Sequence, residues 1–367
     1  MRLLHVISGM QKAAGTSVFC GEVCNGLVAL GHDVTIAVTD PNAIDCYPFV
    51  SRIKLIPISS LLNSSTRSTR STRLEYELIH IHALWSPSLH KVAKWARQKN
   101  IPIVWSPHGM LTPWAMNNKR WKKLLGWWLY QKWDLARANL LHVTAASEVE
   151  DVRRMELKNK VMIAPLGVKA CNHVERIERA DGKKVLLFVS RVQRKKGVVN
   201  LVRAWSQLPT ECKKDWVVRI VGPDQDNHTA ELKCLCDELS VAQDFEFIGP
   251  KYGDCLSREY SSANLFVLPT HSENFGSVVI EALSHGVPVL CTKGAPWEDL
   301  ETHKCGWWID IGIGPLVQAL QKSMALSCEA LREMGGRGRK LVEDRYTWNA
   351  VVKTMIIGYE GVMNDRA

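Results

Sequence analysis

Residues 262–300 read SANLFVLPTHSENFGSVVIEALSHGVPVLCTKGAPWEDL, and they hold the densest signal of a functional site in the chain. The short apolar run from Leu265 to Pro269 predicts a buried strand, and Ser277 to Leu283 predicts a helix. In open α/β sheets, ligands bind beyond the carboxyl ends of the strands, where the next helix presents unpaired N–H groups to an anion. The stretch therefore predicts a strand–loop–helix unit with a phosphate-bearing ligand at its loop.

Two glutamates bracket this loop with the spacing E-x7-E, Glu273 before the helix and Glu281 inside it. Carboxylates repel phosphate, but they accept hydrogen bonds from neutral hydroxyls, so one glutamate suits a sugar and the other a ribose. For either residue alone, the alternative is a helix cap or a solvated helix residue. As a pair, they predict a nucleotide-sugar whose diphosphate lies at the start of the helix.

The segment ENFGSVVIEALSHGVPVL, residues 273–290, resembles the signature of the family 4 (group 1) retaining glycosyltransferases. The resemblance implies an α/β protein of the GT-B fold, with two doubly wound parallel-sheet (Rossmann-like) domains facing a cleft. It also implies transfer of a sugar from a nucleotide-sugar to an acceptor hydroxyl with retained anomeric configuration. The resembling family generally works without a metal ion, so none is expected. No cofactor is expected either, because the nucleotide-sugar is a co-substrate.

The glutamate loop receives its roles from the same resemblance. Glu281 is expected to hold the ribose hydroxyls of the donor. Glu273 is expected to be catalytic and to orient the sugar together with the backbone of the donor-binding residues Asn274, Phe275 and Gly276. No nucleophile is obvious at the sugar carbon. A retaining transfer without one is usually explained by front-side attack, in which the leaving phosphate takes the acceptor proton.

A second loop, rich in basic residues, follows the apolar run VLLFV at the start of the second half of the chain. Arg191 and Lys196 flank this loop, and Gly197 lets the next helix start close to the sheet. Two cations at a helix N-terminus can bind a diphosphate and neutralise it as it departs. Together these residues meet the R-x4-K-G pattern of the resembling family, which implies a donor-binding role for both cations.

The first half offers one candidate catalytic histidine. His108 follows the predicted strand Ile101 to Trp105, at the end where an α/β sheet keeps its ligands. Its PHG context resembles that of the family histidine that faces the donor sugar. His80 and His82 alternate on the preceding predicted strand, 77–82, and we expect one of them to face the core without a chemical role.

The loop after the first predicted strand is the remaining candidate ligand contact. The resembling family places paired glycines there, whereas this chain has Ala14 and Gly15. Gly15 is therefore the position expected to approach the donor by its backbone. Another polar stretch, SSTRSTRSTR at residues 64–73, predicts a surface loop.

Domain organisation follows from strands and helices that alternate through both halves. We expect an acceptor-binding domain at residues 1–170, a donor-binding domain at 171–345 and a terminal helix at 346–367 that returns to the first domain. The polar linker is expected between Gly167 and Gly182. In the second half, Ala319 to Leu341 is expected to form one long helix.

The composition narrows the class of protein. At 367 residues with 46% hydrophobic and 23% charged residues, the chain fits a globular protein, and no apolar run is long enough to span a membrane. Its N-terminus lacks the features of a cleaved signal peptide, so a cytoplasmic protein is expected. The 11 cysteines show no CxxC, which favours reduced thiols over a zinc site or a disulfide framework. The net charge of +10 predicts an anionic partner.

Tryptophans and cations are densest at residues 114–137. On one helix, one face is shared by Trp121, Leu124, Leu125, Trp128 and Leu129. A basic helix with tryptophan suits the interface of an anionic membrane. The alternative is an ordinary helix that buries this face against the sheet. The membrane interpretation predicts a peripheral enzyme on the inner face of the cell membrane. Its acceptor would be a glycan or lipid-linked glycan of a bacterial capsule, exopolysaccharide or lipopolysaccharide.

Two other functions stay open on sequence. A nucleotide-sugar epimerase has a related fold and would consume donor without any acceptor. A basic nucleic-acid-binding protein would fit the net charge, but no recognised binding motif is present and the glutamate loop would be unexplained, so nucleic acid is not an expected partner.

Overall fold

Two doubly wound parallel sheets, as predicted, form the framework of the protein. The computed structural model describes residues 1–10, 15–40, 48–63, 76–169 and 176–365. The chain divides into two units, unit 1 (Met1–Gly167 with Trp348–Ala367) and unit 2 (Val168–Thr347). The predicted surface loop at 64–73 and Ala14 lie outside the described residues.

The sheet of unit 1 has seven parallel strands in the order β3-β2-β1-β4-β5-β6-β7. The strands are β1 (Arg2–Ile7), β2 (Asp33–Val38), β3 (Lys54–Pro57), β4 (Leu78–His82), β5 (Ile103–Ser106), β6 (Leu140–Val143) and β7 (Val161–Ile163). The helices up to β7 are α1 (Gly15–Ala29), α2 (Ile58–Asn63), α3 (Pro87–Gln98), α4 (Pro113–Asn117), α5 (Arg120–Gly126), α6 (Lys132–Ala136) and α7 (Ala146–Arg154). The strand order reverses between β1 and β4, which is where such a sheet opens a ligand crevice.

The sheet of unit 2 has six parallel strands in the order β10-β9-β8-β11-β12-β13. The strands are β8 (Lys184–Val189), β9 (Trp216–Val221), β10 (Phe245–Gly249), β11 (Leu265–Leu268), β12 (Val289–Thr292) and β13 (Gly306–Ile309). The helices are α8 (Val198–Ser206), α9 (Thr210–Lys213), α10 (His228–Glu238), α11 (Gly253–Ser262), α12 (Ser277–Ser284), α13 (Asp299–Thr302), α14 (Ile313–Met324) and α15 (Cys328–Leu341). Here the order reverses between β8 and β11.

The terminal helix α16 (Trp348–Asn364) belongs to unit 1 and covers one face of its sheet. Its buried residues Val351, Val352, Met355 and Tyr359 share an apolar core with α1. The two helices approach so closely at Gly26 that a Cβ there would lie 2.6 Å from Val352 Cγ2. This contact ties the end of the chain to its first helix.

The single helix expected from Ala319 to Leu341 is wrong. The structure has two helices, α14 and α15, which are separated at residues 325–327. The second helix starts anew because Ser327 takes an extended conformation and its hydroxyl accepts a hydrogen bond from Ala330 N at 3.1 Å. Such a serine satisfies an N–H group that a new helix leaves without a backbone partner.

The tryptophan-rich segment is also not one regular α-helix. After α4, Lys119 adopts the left-handed conformation with φ 54°, and a π-helical turn at Trp127–Gln131 joins α5 to α6. The π turn rotates the following residues relative to those before it. Among the described residues, no helix combines the length and apolarity needed to cross a bilayer.

Candidate functional site

The basic loop and the glutamate loop of unit 2 meet at the reversal of strand order. The basic loop leaves β8, the glutamate loop leaves β11, and these two strands are neighbours in the sheet. The carbonyl of Lys195 accepts hydrogen bonds from His271 N at 2.9 Å and Thr270 Oγ1 at 3.2 Å. The two sequence signals, about 80 residues apart, therefore form a single site.

Gly197 allows this close approach. Its φ is 72°, and a Cβ at this position would stand 1.9 Å from the carbonyl oxygen of Pro269. Every other residue would therefore collide with the end of β11. The glycine predicted from the R-x4-K-G pattern brings the start of α8 against the glutamate loop.

The predicted cations differ in their surroundings. Lys196 is buried and its ammonium group pairs with the carboxylate of Glu273. Arg191 is exposed, and no carboxylate of the described residues forms an ion pair with it. Burial lowers the pKa of Lys195. The charges of Lys196 and Arg191 lower it as well, whereas the charge of Glu273 raises it. The loop thus holds excess positive charge that an anionic ligand would relieve.

The start of α12 carries the other donors. Gly276 is the N-cap with φ 79°, and no side chain caps the helix. Before it, Glu273 N donates to Gly294 O at 2.6 Å, which fixes the loop to the strand end after β12. Phe275 is buried against Trp297, whose Nε1 donates to Phe275 O at 2.6 Å. Its ring therefore supports the loop from the core, so any ligand contact made by Phe275 is through its N–H group.

Glu281 lies one turn into α12 and has a buried partner that the sequence did not suggest. The hydroxyl of Tyr260, on α11, donates to Glu281 Oε2 at 2.9 Å. Burial raises the pKa of the Glu281 carboxyl, whereas hydrogen bonds from Tyr260 and Ser277 lower it. Tyr260 therefore favours the ionised form that accepts hydrogen bonds from hydroxyls.

In unit 1, His108 stands on a strained turn after β5. Its φ is 52° and that of Gly109 is 71°, so two successive residues adopt the left-handed conformation. A non-glycine residue in this region is uncommon and is retained where the surrounding structure enforces it. Here Glu148 braces the turn, because Oε2 accepts from Gly109 N at 3.0 Å while Oε1 is bonded to Thr144.

His108 is joined to buried histidines. Its Nε2 lies 3.0 Å from His82 Nδ1, and His82 Nε2 lies 3.0 Å from His5 Nδ1. The expectation that only one of His80 and His82 faces the core is wrong, since both are fully buried. Residues two apart on a strand point to the same side, and this rule would have predicted the outcome.

Gly15 is the first residue of α1 rather than part of the preceding loop. No atom of the described residues lies within 4 Å of the position that its Cβ would take. The backbone at this helix start is therefore accessible, as a ligand contact at this position requires.

The apolar face predicted in the tryptophan-rich segment points to solvent. Its exposed large side chains are Trp114, Trp121, Leu124, Leu125, Trp128, Leu129 and Trp133. The segment is held to unit 1 by other residues, namely Trp127, Gln131, Asp134 and Leu135, which are buried. The alternative that Trp121 and its neighbours pack against the sheet is therefore wrong. We call the exposed residues the tryptophan face.

Cations surround the tryptophan face. Lys122 Nζ lies 5.3 Å from the ring centroid of Trp121, and Lys132 Nζ lies 5.0 Å from that of Trp128. Residues 111–133 contain no acidic residue. Lys132 is also paired with the exposed carboxylate of Glu156 at 2.9 Å, so the edge of the face is mainly, not wholly, positive. An apolar surface with such an edge is complementary to an anionic, partly apolar partner.

Comparison with known proteins adds a family and a fold. The family model "Glycosyl transferases group 1" matches residues 172–341, and the model "Glycosyl transferase 4-like domain" matches residues 14–167. An uncharacterized glycosyltransferase of Methanocaldococcus jannaschii is 30% identical over 185 residues, which is 50% of this chain and 46% of that protein. The chain therefore spans about half the length of this relative.

Two further matches extend over almost the whole chain. The D-inositol 3-phosphate glycosyltransferase of Corynebacterium urealyticum is 25% identical over 400 aligned residues, covering 97% of this chain and 92% of that protein. The solved structure of Anabaena HepE in complex with UDP and glucose has a TM-score of 0.70 at 14% identity. That match covers 98% of this chain and 100% of the other, and it shows a common fold.

Proposed function

Because this chain belongs to the group 1 glycosyltransferases of the GT-B fold, we propose that it transfers a sugar from a nucleotide-sugar to an acceptor hydroxyl with retained anomeric configuration. The observation that carries the proposal is the meeting of Lys196 and Glu273 beside the uncapped start of α12. Cations and free helix N–H groups suit a diphosphate, and a carboxylate beside them suits a sugar hydroxyl.

The donor is proposed to bind to unit 2. Arg191 and Lys196 neutralise the diphosphate, and the N–H groups of Asn274, Phe275 and Gly276 orient the sugar with Glu273. Glu281, whose ionised form Tyr260 favours, accepts hydrogen bonds from the ribose hydroxyls. The complex of HepE with UDP and glucose supports a uridine nucleotide as the first donor to test.

The reaction is proposed to proceed by front-side attack. The bond from the sugar carbon to the phosphate oxygen breaks, the acceptor oxygen bonds to the same face of that carbon, and the acceptor proton passes to the leaving phosphate. Positive charge at the phosphate stabilises this step, and Arg191 and Lys196 supply it without a metal ion. His108, held as a neutral imidazole, is the proposed catalytic residue of unit 1.

The acceptor is proposed to be carried by a membrane. The tryptophan face with its cations suits an anionic lipid surface, where tryptophan rings insert at the headgroups and lysines contact phosphates. A lipid-linked glycan of a bacterial cell-surface polysaccharide, on the inner face of the cell membrane, fits this surface. The enzyme would then be cytoplasmic and peripheral.

Thermal unfolding with nucleotides tests the donor site. A ligand that binds only the folded protein raises its unfolding temperature. We expect one of UDP, GDP, ADP and CMP to stabilise the wild type, and expect Glu281→Ala to lose most of this shift. Glu238→Ala, an exposed glutamate at the end of α10, is the matched control and should respond like the wild type. No shift with any nucleotide would remove the basis of the proposal.

An assay of donor turnover then separates transfer from epimerisation. With the nucleotide identified, transfer requires an added acceptor and releases nucleoside diphosphate. Consumption of the donor without any acceptor, with the nucleotide still attached to the altered sugar, would favour an epimerase instead. Turnover that survives complete chelation of divalent ions would support the proposed metal-independent step.

A further inference from the structure

The face of the unit 1 sheet below α1 and α16 holds two chains of hydrogen-bonded histidines. One chain links Tyr359, His80, Ser106 and His142, and the other links His5, His82 and His108. Burial lowers the pKa of His142 to about 4 and also lowers the pKa of His5, His80 and His108. A neutral imidazole has one N–H group and one acceptor nitrogen, so each ring has a direction within its chain.

The first chain has only one possible direction. His142 Nε2 lies 2.8 Å from the carbonyl oxygen of Ala164, which can only accept, so the proton of His142 is on Nε2. Its Nδ1 then accepts from the Ser106 hydroxyl at 2.6 Å. Ser106 in turn accepts from His80 Nε2 at 2.6 Å, and His80 Nδ1 accepts from the Tyr359 hydroxyl at 2.6 Å. Every polar atom of this chain is satisfied.

The direction of the hydrogen bonds in the second chain is decided at His5, the end opposite to His108. His5 Nε2 is buried and has no hydrogen-bond partner among the described residues. If His108 donates to His82 and His82 donates to His5, which we call the inward direction, His5 carries its proton on Nε2 and buries an unpaired N–H donor. If His5 donates to His82 and His82 donates to His108, which we call the outward direction, His5 Nε2 carries no proton and only a lone pair is left unused. Buried orphan N–H groups are the rarer of the two in proteins, which favours the outward direction.

The outward direction fixes the state of His108. His5 Nδ1–H donates to His82 Nε2, and His82 Nδ1–H donates to His108 Nε2, each over 3.0 Å. We propose that His5 and His82 are positioning residues that hold His108 as the tautomer with its proton on Nδ1. His108 then presents its Nδ1–H group as a hydrogen-bond donor to an oxygen of a bound ligand. This ligand contact rests on the proposed function, whereas the tautomer does not.

The direction of the second chain also depends on the protonation of Cys20. Its sulfur and one nitrogen each of His5 and His82 lie within 4.8 Å of one another. A hydrogen bond with Cys24, together with His82 and His5, lowers the pKa of the Cys20 thiol, whereas burial raises it. As a neutral thiol Cys20 is a weak donor and leaves the outward direction in place. A thiolate would accept from His5 and reverse the chain, and a metal ion bound by the three groups would replace the hydrogen bond between His5 and His82.

Imidazole 15N NMR of the full-length protein reads the tautomer without any assay of activity. We expect His108 to show a protonated Nδ1 and an unprotonated Nε2, and His142 to show the opposite. A proton on His108 Nε2 would overturn the proposal. So would one equivalent of zinc or another transition metal in the purified protein, lost together with the His5–His82 correlation on treatment with a chelator.

Variants of His5 then test its effect on His108. His5→Asn keeps an N–H donor near the position of Nδ1, whereas His5→Leu removes it. We expect kcat for sugar transfer to fall roughly 10- to 100-fold in His5→Leu, by analogy with the loss of a hydrogen-bond partner from a metal-bound histidine. The KM for the donor should stay unchanged, and His5→Asn should recover most of the rate.

His142→Leu is the matched control, because His142 is equally buried but belongs to the other chain. It should lower stability and leave both the kcat and the tautomer of His108 unchanged. An equal loss of kcat in His5→Asn and His5→Leu would overturn the positioning role. If no nucleotide-sugar is turned over at all, the proposed function fails, and the tautomer in the NMR spectrum still decides the direction of the chain.

Discussion

The ammonium group of Lys196 is paired with the carboxylate of Glu273, 77 residues further along the chain, and their side chains are only 10% and 14% exposed. The pair joins the two loops that leave the neighbouring strands β8 and β11. A charge this buried depends on its partner, because removal of one member leaves the other desolvated and unpaired. A phosphate that binds Lys196 would release Glu273 to accept a hydrogen bond from the sugar.

Replacement of Lys196 is therefore expected to destabilise the unliganded protein. Lys196→Met should lower the free energy of unfolding by about 3 kcal/mol, because it leaves Glu273 unpaired. Adding Glu273→Gln should recover about 2 kcal/mol, since the two residues are coupled. Urea unfolding without nucleotide measures both. Lys293→Met, which breaks an exposed pair with Asp310, is the control and should change stability by less than about 1 kcal/mol.

Substitution of Tyr260 is expected to shift the pH dependence of nucleotide binding. Its hydroxyl stabilises the ionised form of Glu281, so Tyr260→Phe should raise the pKa of that carboxyl further. Binding of the nucleotide should weaken as the pH falls through this pKa. In the variant the weakening should begin about one pH unit higher, because a hydrogen bond to a charged group is worth enough to shift a pKa by about that much. Calorimetric titration across pH measures it. Tyr252→Phe, at an exposed tyrosine, is the control and should leave the pH dependence unchanged. If Tyr260→Phe also leaves the loss of binding at low pH where it is in the wild type, Tyr260 does not stabilise the ionised form of Glu281.

Gly197 should tolerate no side chain. In Gly197→Ala the new Cβ would lie 1.9 Å from Pro269 O, so the basic loop must move away from β11. Gly182→Ala is a matched control, because φ at Gly182 is 70° and no described atom lies within 4 Å of its Cβ position. The control should lose about 1 kcal/mol from the left-handed conformation alone. Gly197→Ala should lose more stability and also the nucleotide-induced thermal shift, and equal losses in both variants would contradict the contact.

The strand–loop–helix unit at the glutamate loop was predictable because its signals are local. The expected strand from Leu265 and helix from Ser277 agree with β11 and α12 to within one residue. The sheet rule also places the basic loop at the same edge of the sheet, since both loops leave carboxyl ends of strands. The neighbour order β8-β11 and the support of Glu281 by Tyr260 were not readable, because both depend on residues distant in sequence.

The tryptophan-rich segment shows why a helical pattern alone misleads. A pattern of apolar residues shows that two faces differ, but it does not say which face packs against the protein. Asp134 decides the orientation, because its carboxylate is buried and bonded to His90 at 2.7 Å and Arg97 at 2.9 Å, both on α3. With Asp134 held against α3, Trp128 lies at the surface. No local signal marks this ion pair.

The tryptophan face should bind anionic membranes. Trp128→Glu should weaken binding to vesicles that contain phosphatidylglycerol by roughly tenfold, since it adds a negative charge and removes an apolar anchor. Its stability should stay within about 0.5 kcal/mol of the wild type, because the residue is exposed. Vesicle sedimentation at low and high salt measures the affinity, which should fall with salt. Ile357→Glu, an equally exposed apolar position on α16, should bind like the wild type. Failure of the wild type to bind at low salt would contradict the membrane proposal.

The buried histidines should make unit 1 sensitive to mild acid. Their pKa values are lowered in the folded state, so the unfolded chain binds more protons once the pH falls below about 6.5. Stability should therefore fall as the pH drops from about 6.5, and for His142 the loss should continue to about pH 4. His142→Gln should reduce this slope by up to about 1.4 kcal/mol per pH unit, the share of one proton. Urea unfolding at a series of pH values gives the slope, with the partly exposed His303→Gln as the control. An unchanged slope in His142→Gln would mean that this ring gains no proton on unfolding, and it would contradict both the neutral state of His142 and the hydrogen bond from Ser106 to its Nδ1.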